Sequence, residues 1–134
     1  MNESEKDKML DAAYATFEIE AESLRATGEV LDRTEFEKAV DMLASAERIA
    51  ASGCGHSGIA CRHFAHLCCC IERPARFLSP SEAVHGGLGY ICPGDVMMLA
   101  SRGGETDELV PIAKICRAKG ASVILVTEKP DSTL

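Results

Sequence analysis

The sequence has no excess of basic residues, and this absence limits the partners that the protein can bind. Of its 134 residues, 14 are Lys or Arg and 21 are Asp or Glu, which gives a formal net charge of −7 at pH 7. Proteins that bind nucleic acid by neutralising phosphates carry clustered basic residues, so no nucleic-acid partner is expected. Residues 1–50 hold 6 basic and 13 acidic side chains, whereas residues 51–134 hold 8 of each. A site for an anionic ligand is therefore expected in residues 51–134.

The sequence also lacks a run of 18 apolar residues and the pattern of a secretory signal peptide, so no membrane partner is expected. Its seven cysteines, three of them consecutive at positions 68–70, lack the spaced framework of small disulfide-rich secreted domains. These features predict a cytoplasmic protein with free thiols, most of them buried as small apolar side chains. A metal site built from Cys61, His63, His66 and Cys68 on one helix face is the less favoured interpretation.

The first 50 residues predict an acidic helical layer. One helix is expected over residues 4–26, with a break at Gly28. A second helix is expected to open at Asp32 or Thr34, with Glu37 completing a capping box. Apolar residues recur at helical spacing at Phe36, Val40, Leu43 and Ala44. Such a stripe usually packs against a core or against another subunit.

From residue 48 onward, short apolar runs alternate with helical segments, which is typical of a parallel sheet covered by helices on both faces. The predicted strands are Arg48–Ser52, Ala75–Leu78, Val96–Ala100 and Ser122–Thr127. The predicted helices are Ile59–Ile71 and Asp107–Ala118, the second with Leu109, Ile112, Ala113 and Cys116 facing inward. The fold class is therefore α/β.

Glycine-bearing loops follow two of these strands, at residues 53–58 and 101–106. Open parallel sheets bind ligands at the carboxyl ends of their strands, so both loops should border one crevice. Free N–H groups at the helix starts, with the hydroxyls of Ser57, Ser101 and Thr106, would bind an anionic oxygen such as a phosphate. The first loop also matches GxGxxG, but the acidic residue that a dinucleotide site requires at the end of the next strand is missing, and Glu72 lies ahead of that strand instead. A phosphate site is favoured over a dinucleotide site and over plain tight turns.

Residues 79–89, Ser-Pro-Ser-Glu-Ala-Val-His-Gly-Gly-Leu-Gly, predict a very short helix with a histidine at its end. Ser79 is the expected N-cap, Glu82 its capping-box partner, and Gly86 stops the helix. His85 therefore lies beside flexible backbone, where it could transfer a proton. The alternative is a hydrogen-bonded histidine at a helix end without a chemical role.

Three motifs in these segments resemble the SIS (sugar isomerase) domain family, and within it the arabinose-5-phosphate isomerase group. Residues 53–58, Gly-Cys-Gly-His-Ser-Gly, are similar to the family's GxGKSG. Residues 82–89 are similar to EAxHGDLG, and residues 101–106, Ser-Arg-Gly-Gly-Glu-Thr, to SxSGET. Two shorter matches are Asp95-Val96 and the closing Ser132-Thr133-Leu134. The middle motif is the specific one, because it separates this group from other SIS domains.

The resemblance implies a three-layer α/β/α fold of flavodoxin type, a phosphorylated sugar as ligand and a homodimer or homotetramer with active sites at subunit interfaces. It implies aldose–ketose isomerisation through an enediol without a cofactor or a metal, in which a base moves a proton between adjacent carbons. His85 and Glu105 are then the proton-transfer candidates. The residues that the resemblance assigns to substrate and phosphate binding are Gly55, His56, Ser57, Ser101, Gly103, Gly104 and Thr106.

Three residues depart from the family's motifs. His56 replaces a lysine, so a permanent cation gives way to an imidazole that is mostly neutral at pH 7. Gly103 replaces a serine, although Arg102 could supply charge if it turned inward, and Gly87 replaces an aspartate. These departures leave a second hypothesis open, a non-catalytic sugar-phosphate sensor of a regulatory module. A third hypothesis is an oligomerising scaffold without a ligand.

The family continues past position 134. The chain is therefore expected to hold a single SIS domain that lacks the family's C-terminal portion. Residues 1–50 would form its helical layer and residues 51–134 its ligand-binding α/β part.

Overall fold

The computed structural model describes residues 2–134, in which strands and helices alternate in the predicted order. The elements are α1 Glu3–Val30, α2 Arg33–Ser45, β1 Ile49–Gly53, α3 Gly55–Cys70, β2 Ala75–Phe77, α4 Pro80–Val84, a short 3-10 helix Gly87–Tyr90, β3 Val96–Ala100, α5 Val110–Ala118 and β4 Ser122–Val126. The chain divides into two units, one up to Glu37 and one from Lys38 to Leu134. All four strands lie in the second unit.

The first helix is longer than predicted. Its start is fixed by a capping box, in which Asn2 Oδ1 accepts a hydrogen bond from the N–H of Glu5 at 2.9 Å and Glu5 accepts one from the N–H of Asn2 at 2.8 Å. The helix runs through Gly28, so the predicted break there is wrong. A glycine inside a helix costs only about 1 kcal/mol relative to alanine. The helix ends where Leu31 adopts an extended backbone.

Asp32 caps the second helix, as one of the two predicted alternatives stated. Its Oδ1 accepts a hydrogen bond from the N–H of Glu35 at 3.0 Å. The third helical position therefore belongs to Glu35, and the predicted capping box with Glu37 is wrong. Glu37 instead pairs with Arg33 at 2.7 Å on the exposed surface. Of the predicted apolar stripe, Leu43 packs against the core of the second unit.

The four strands form one parallel sheet in the order β2-β1-β3-β4. Ile49 of β1 pairs with Ala75 of β2 and with Val96 of β3, which in turn pairs with Ser122 of β4. Parallel neighbours need crossover connections, which α3 provides between β1 and β2 and α5 provides between β3 and β4. The strand order changes direction between β1 and β3, which makes their carboxyl ends the switch point of the sheet.

Helices cover both faces of the sheet. Alternate strand residues point to opposite sides, and apolar side chains on both sides are buried against these helices. On one face the buried residues of the sheet and α3 are Ile49, Ala51, Val96 and Met98 with Cys61, Ala65 and Cys68. On the other face the buried residues are Ala50, Met97 and Leu99 of the sheet, Ala83 of α4, and Leu109, Ile112, Ala113 and Cys116 at the start of and within α5. The three-layer α/β/α fold is thereby confirmed, as is the inward face predicted for the last helix.

Two helices beside the switch point begin at other residues than predicted. Helix α3 begins at Gly55 rather than at Ile59, because the N–H of Gly58 donates to the carbonyl of Cys54 at 3.1 Å and closes a first turn. A Cβ at Gly58 would collide with the carbonyl oxygen of Gly53, so this turn depends on a glycine there. Helix α5 begins three residues later than predicted, at Val110.

Candidate functional site

Two loops meet at the switch point of the sheet. Gly53 at the end of β1 is paired with Ala100 at the end of β3, so residues 54–57 and 101–106 leave the sheet side by side. In open parallel sheets this crevice is where ligands bind. The structure thus brings the two predicted loops to one edge of the sheet.

The first loop presents unpaired backbone donors. Cys54 caps α3 with an extended backbone, and the N–H groups of Gly55, His56 and Ser57 have no acceptor within residues 2–134. Gly55 and His56 are exposed and Ser57 is half-buried. Gly55 has φ +53°, a conformation that favours glycine. N–H groups at a helix start bind anions through their partial positive charge.

The second loop is organised around a pair of hydroxyl groups. Ser101 Oγ and Thr106 Oγ1 lie 2.7 Å apart, and the N–H of Gly104 donates to Ser101 Oγ at 3.1 Å. Ser101 is 4% exposed. The N–H groups of Gly103, Glu105 and Thr106 have no acceptor in the part of the chain that the structure describes. Hydroxyls and free N–H groups therefore converge in this loop.

Arg102 in the same loop points away from these groups. Its Nε lies 3.1 Å from the carboxylate of Glu128, and its side chain is 84% exposed. The predicted option that Arg102 turns inward and compensates for Gly103 is therefore not realised.

Glu105 is bound to the closing segment of the chain. Its Oε1 accepts a hydrogen bond from the N–H of Thr133 at 2.9 Å, and its Oε2 accepts a short one from the Thr133 hydroxyl. These hydrogen bonds hold the pKa of the exposed Glu105 carboxyl below its ordinary value. Gly104 beside it is buried with φ +67° and approaches Ser132 so closely that a Cβ would collide with that side chain.

His85 forms the end of α4, as predicted. Ser79 accepts a hydrogen bond from the N–H of Glu82 at 3.2 Å, which is one half of the predicted capping box. His85 is the C-cap and is exposed, and Gly86 turns the chain with φ +116°. The backbone of Gly87 runs so close to the previous turn that a Cβ there would lie 2.7 Å from the carbonyl oxygen of Glu82.

A cleft of about 580 Å³ opens beside the first loop, where β1 and β2 end. Its lining includes Arg62 of α3, Phe77 of β2, the start of α4 and Glu108. The guanidinium carbon of Arg62 lies 4.6 Å from the centre of the Phe77 ring. Of the predicted site residues, Gly55 alone is in the lining of this cleft. His85 is not, but its neighbour Val84 is.

Sequence reasoning does not select Arg62, Phe77 or Glu108. The helical spacing of Arg62 from Gly55 is a usable indication, because residues seven apart lie on one helix face. For Phe77 the sequence predicts only a position within a strand, with no indication of a role in the cleft. The pairing of Arg62 with Phe77 depends on the crossover between α3 and β2, which no local pattern encodes.

All seven cysteines are free, but only Cys61, Cys68 and Cys116 are buried, so the prediction that most of the thiols are buried is wrong. Burial raises the pKa of the Cys61 and Cys68 thiols and raises that of Cys116 to about 11. Within residues 2–134 no group of three or more His, Cys, Asp or Glu side chains could hold a metal ion. The helices of the same residues include none with the length and apolar character of a membrane span.

Comparison with known proteins relates this geometry to one family. The sequence model of the SIS domain matches residues 42–134. The chain is 28% identical over 127 residues to arabinose 5-phosphate isomerase KpsF of Escherichia coli. The aligned residues are 94% of this chain and 40% of that protein. The chain thus spans about 40% of the length of such curated relatives.

Two solved structures are similar throughout the chain. A candidate sugar-phosphate isomerase from Listeria monocytogenes superposes with a TM-score of 0.91 at 40% identity and covers 98% of this chain, which spans 68% of that one. A protein of E. coli CFT073 in complex with arabinose 5-phosphate superposes with a TM-score of 0.78 at 30% identity. It covers 98% of this chain, which spans 69% of that one. The sequence match and the structural matches both extend over the two loops at residues 53–58 and 101–106.

Proposed function

The chain belongs to the SIS domain family, and on that premise we propose that it binds a phosphorylated sugar and interconverts its aldose and ketose forms. The proposed type is the arabinose-5-phosphate isomerase, acting through an enediol. The relatives named arabinose 5-phosphate isomerase and the solved structure with bound arabinose 5-phosphate support this proposal.

The observation that carries the proposal is the pair of donor sets at the ends of β1 and β3. Six N–H groups without an acceptor in the described residues, at Gly55, His56, Ser57, Gly103, Glu105 and Thr106, lie on two loops that leave paired strands. The hydroxyls of Ser57, Ser101 and Thr106 stand in the same segments. A dianionic phosphate matches such a site, because its oxygens can accept hydrogen bonds from many N–H and hydroxyl groups at once.

Isomerisation also needs a group that accepts a proton from one carbon and returns it to the next. We assign this role to His85 and Glu105. His85 is exposed at a helix end and Glu105 is ionised at neutral pH, since hydrogen bonding lowers its pKa. We further propose that the protein acts as a homodimer or homotetramer, in which the exposed His85 serves the loops of a neighbouring copy.

One observation favours a second function, a sugar-phosphate sensor. Both carboxylate oxygens of Glu105 accept hydrogen bonds from Thr133, which stabilise the ionised carboxylate and weaken it as a base in this conformation. With His56 in place of a lysine and Gly87 in place of an aspartate, the chain would then retain binding without turnover. Incorporation of solvent deuterium into the bound sugar separates the two functions, because only the isomerase exchanges a carbon-bound hydrogen.

The free cysteines support a reducing compartment, and we propose a cytoplasmic location. We also propose that residues 1–134 act as one SIS domain, with residues 1–50 as a helical layer and residues 51–134 as the part that holds the ligand.

Calorimetric titration with arabinose 5-phosphate and with arabinose tests the binding step. We expect the phosphorylated sugar to bind and the unphosphorylated one to bind at least about a hundredfold more weakly, because the phosphate supplies several charge-assisted hydrogen bonds. Ser57→Ala should weaken binding by about tenfold, and Arg102→Gln, which removes an outward-facing residue, should leave it unchanged. Equal affinity for both sugars would contradict the proposal.

A further inference from the structure

Arg62 is the permanent cation of the 580 Å³ cleft. No other Lys or Arg among residues 2–134 lines it, and its one carboxylate is that of Glu108. The remaining walls are largely apolar or small, with Ile59, Val84 and Pro111 among them. A ligand in this cleft would therefore meet a single fixed positive charge.

The guanidinium of Arg62 is held in place without being neutralised. Six of the eight arginines donate to a carboxylate or carbonyl oxygen: Arg25, Arg33, Arg48, Arg73, Arg102 and Arg117. Arg62 has no such acceptor in the described part of the chain and stacks instead over Phe77 at 4.6 Å. Stacking on a ring face orients a guanidinium and leaves its in-plane N–H donors open. Those donors match the geometry of a phosphate oxygen pair.

Arg62 also lies on the helix face that carries the free N–H group of Gly55. Gly55, Gly58, Ile59 and Arg62 all line the cleft, at the spacing of neighbours on one side of a helix. Helical side chains lean toward the N-terminus of their helix. Gly58 has no side chain to obstruct the path from Arg62 toward Gly55, and close contact with Gly53 requires a glycine there.

The other basic residues near the loops do not offer a permanent positive charge with free N–H donors. Arg102 is engaged by Glu128 and points outward. His56 is exposed in the first turn of α3, and a histidine side chain, unlike that of Arg, is not a permanent cation. We propose that Arg62 binds the phosphate group of the phosphorylated sugar, as the permanent cation of the site that neither His56 nor Arg102 provides. The inference rests on the proposed function and identifies the residue that selects an anionic ligand.

The test is titration of arabinose 5-phosphate into the full chain and into four variants, with folding checked by thermal denaturation. Arg62→Gln should weaken binding by about 10- to 100-fold, as expected for loss of a charged hydrogen-bonding partner. Arg62→Lys, which keeps the charge but not the planar fork, should retain part of that affinity. His56→Ala should weaken binding less than Arg62→Gln does. Arg76→Gln is the matched control, because Arg76 also stacks on an aromatic ring, that of Tyr90, outside the cleft lining.

Arg62→Gln with the affinity of the unchanged protein would overturn the inference and leave the proposed function standing. If the unchanged protein binds no phosphorylated sugar, the proposed function fails. Titration of inorganic phosphate into the same variants then tests whether Arg62 binds an anion. Weaker phosphate binding by Arg62→Gln, but not by Arg76→Gln, would then support an anion site at Arg62. Equal phosphate binding by both variants, or none by the unchanged protein, would overturn it.

Discussion

Thr133 binds both carboxylate oxygens of Glu105, although the two residues are 28 positions apart in the chain. The contact joins the loop after β3 to the closing segment, and Leu134 extends it by donating its N–H to the carbonyl of Gly104 at 3.2 Å. The conformation of the second loop therefore depends on residues 132–134 as well as on its own sequence.

Replacement of Thr133 by Val should raise the pKa of Glu105 toward its ordinary value. The hydroxyl bond that valine removes is the largest cause of the lowered pKa, and the backbone N–H bond is the second. Thr133→Ser, which keeps a hydroxyl, should leave the pKa close to that of the unchanged protein. Carbon-detected NMR titration of the Glu105 carboxyl measures the shift, and an unchanged pKa in Thr133→Val would contradict the role given to this hydroxyl.

The same contact predicts how the closing segment responds to acid. A carboxyl whose pKa is lowered on folding stabilises the fold at pH values above its unfolded pKa, about 4.3, and this contribution is lost as the pH falls through the lowered pKa. The protection factors of the Thr133 and Leu134 amides, which correct for the slower intrinsic exchange in acid, should therefore fall below about pH 4.3 before those of the sheet do. Simultaneous loss of protection in β3 would argue against a local release.

Two glycines that depart from the family's motifs should respond differently when the family residue is restored. Gly87→Asp should destabilise the fold by about 1–3 kcal/mol, because its Cβ would lie 2.7 Å from the carbonyl oxygen of Glu82 and the chain must shift to admit it. Urea denaturation measures this loss. The close approach of the backbone to Glu82 thus favours a glycine at position 87 in this conformation.

Gly103→Ser is the matched control for that prediction. A Cβ at Gly103 meets no atom within 4 Å, so the substitution should change the free energy of unfolding by less than about 0.5 kcal/mol. It should also strengthen sugar-phosphate binding several-fold, because it adds a hydroxyl donor to the second loop. Destabilisation of Gly103→Ser as large as that of Gly87→Asp would contradict the packing described for both glycines.

The hydroxyl pair of Ser101 and Thr106 should contribute to stability as well as to binding. Ser101→Ala leaves Thr106 Oγ1 without its 2.7 Å partner and is expected to cost about 1–2 kcal/mol of unfolding free energy. Ser57→Ala should cost less than about 0.5 kcal/mol, since the Ser57 hydroxyl has no hydrogen-bond partner within residues 2–134. Equal destabilisation by the two variants, measured in urea, would show that the pair does not organise the loop.

Thiol labelling at pH 8 should separate the cysteines by burial. Cys69, Cys70 and Cys92 are exposed and should react quickly, whereas Cys61 and Cys116 are fully buried and have raised pKa values, about 11 for Cys116. Mass spectrometry of peptides after a short exposure to an alkylating reagent identifies the modified sites. Rapid modification of Cys116 in the folded protein would contradict the packing of α5 on the sheet.

The local sequence predicts the core of the fold better than its loops. Val96–Ala100 has the predicted bounds, because a continuous apolar run followed by a glycine-bearing loop has few other solutions in a parallel sheet. The sequence pattern places the start of α3 four residues late, since the glycines between 53 and 58 resemble a loop unless the close approach of β1 is known.

The site shows the same division between local and long-range information. The Ser101 and Thr106 hydroxyls, five residues apart, are predicted to lie together, and they do. The binding of Glu105 by Thr133 and the stacking of Arg62 on Phe77 join separate elements, so they depend on the tertiary structure. The predicted roles of His85 and Glu105 in proton transfer stay predictions.

Incorporation of deuterium from solvent into C1 or C2 of arabinose 5-phosphate, followed by NMR, tests the central claim most directly. An enediol intermediate exposes the transferred hydrogen to a base, so the unchanged protein should introduce deuterium at these carbons. His85→Ala should reduce the rate by about a hundredfold or more, the usual contribution of a general base. Binding of the sugar phosphate without any deuterium incorporation would contradict the isomerase and leave the sensor as the function of this chain.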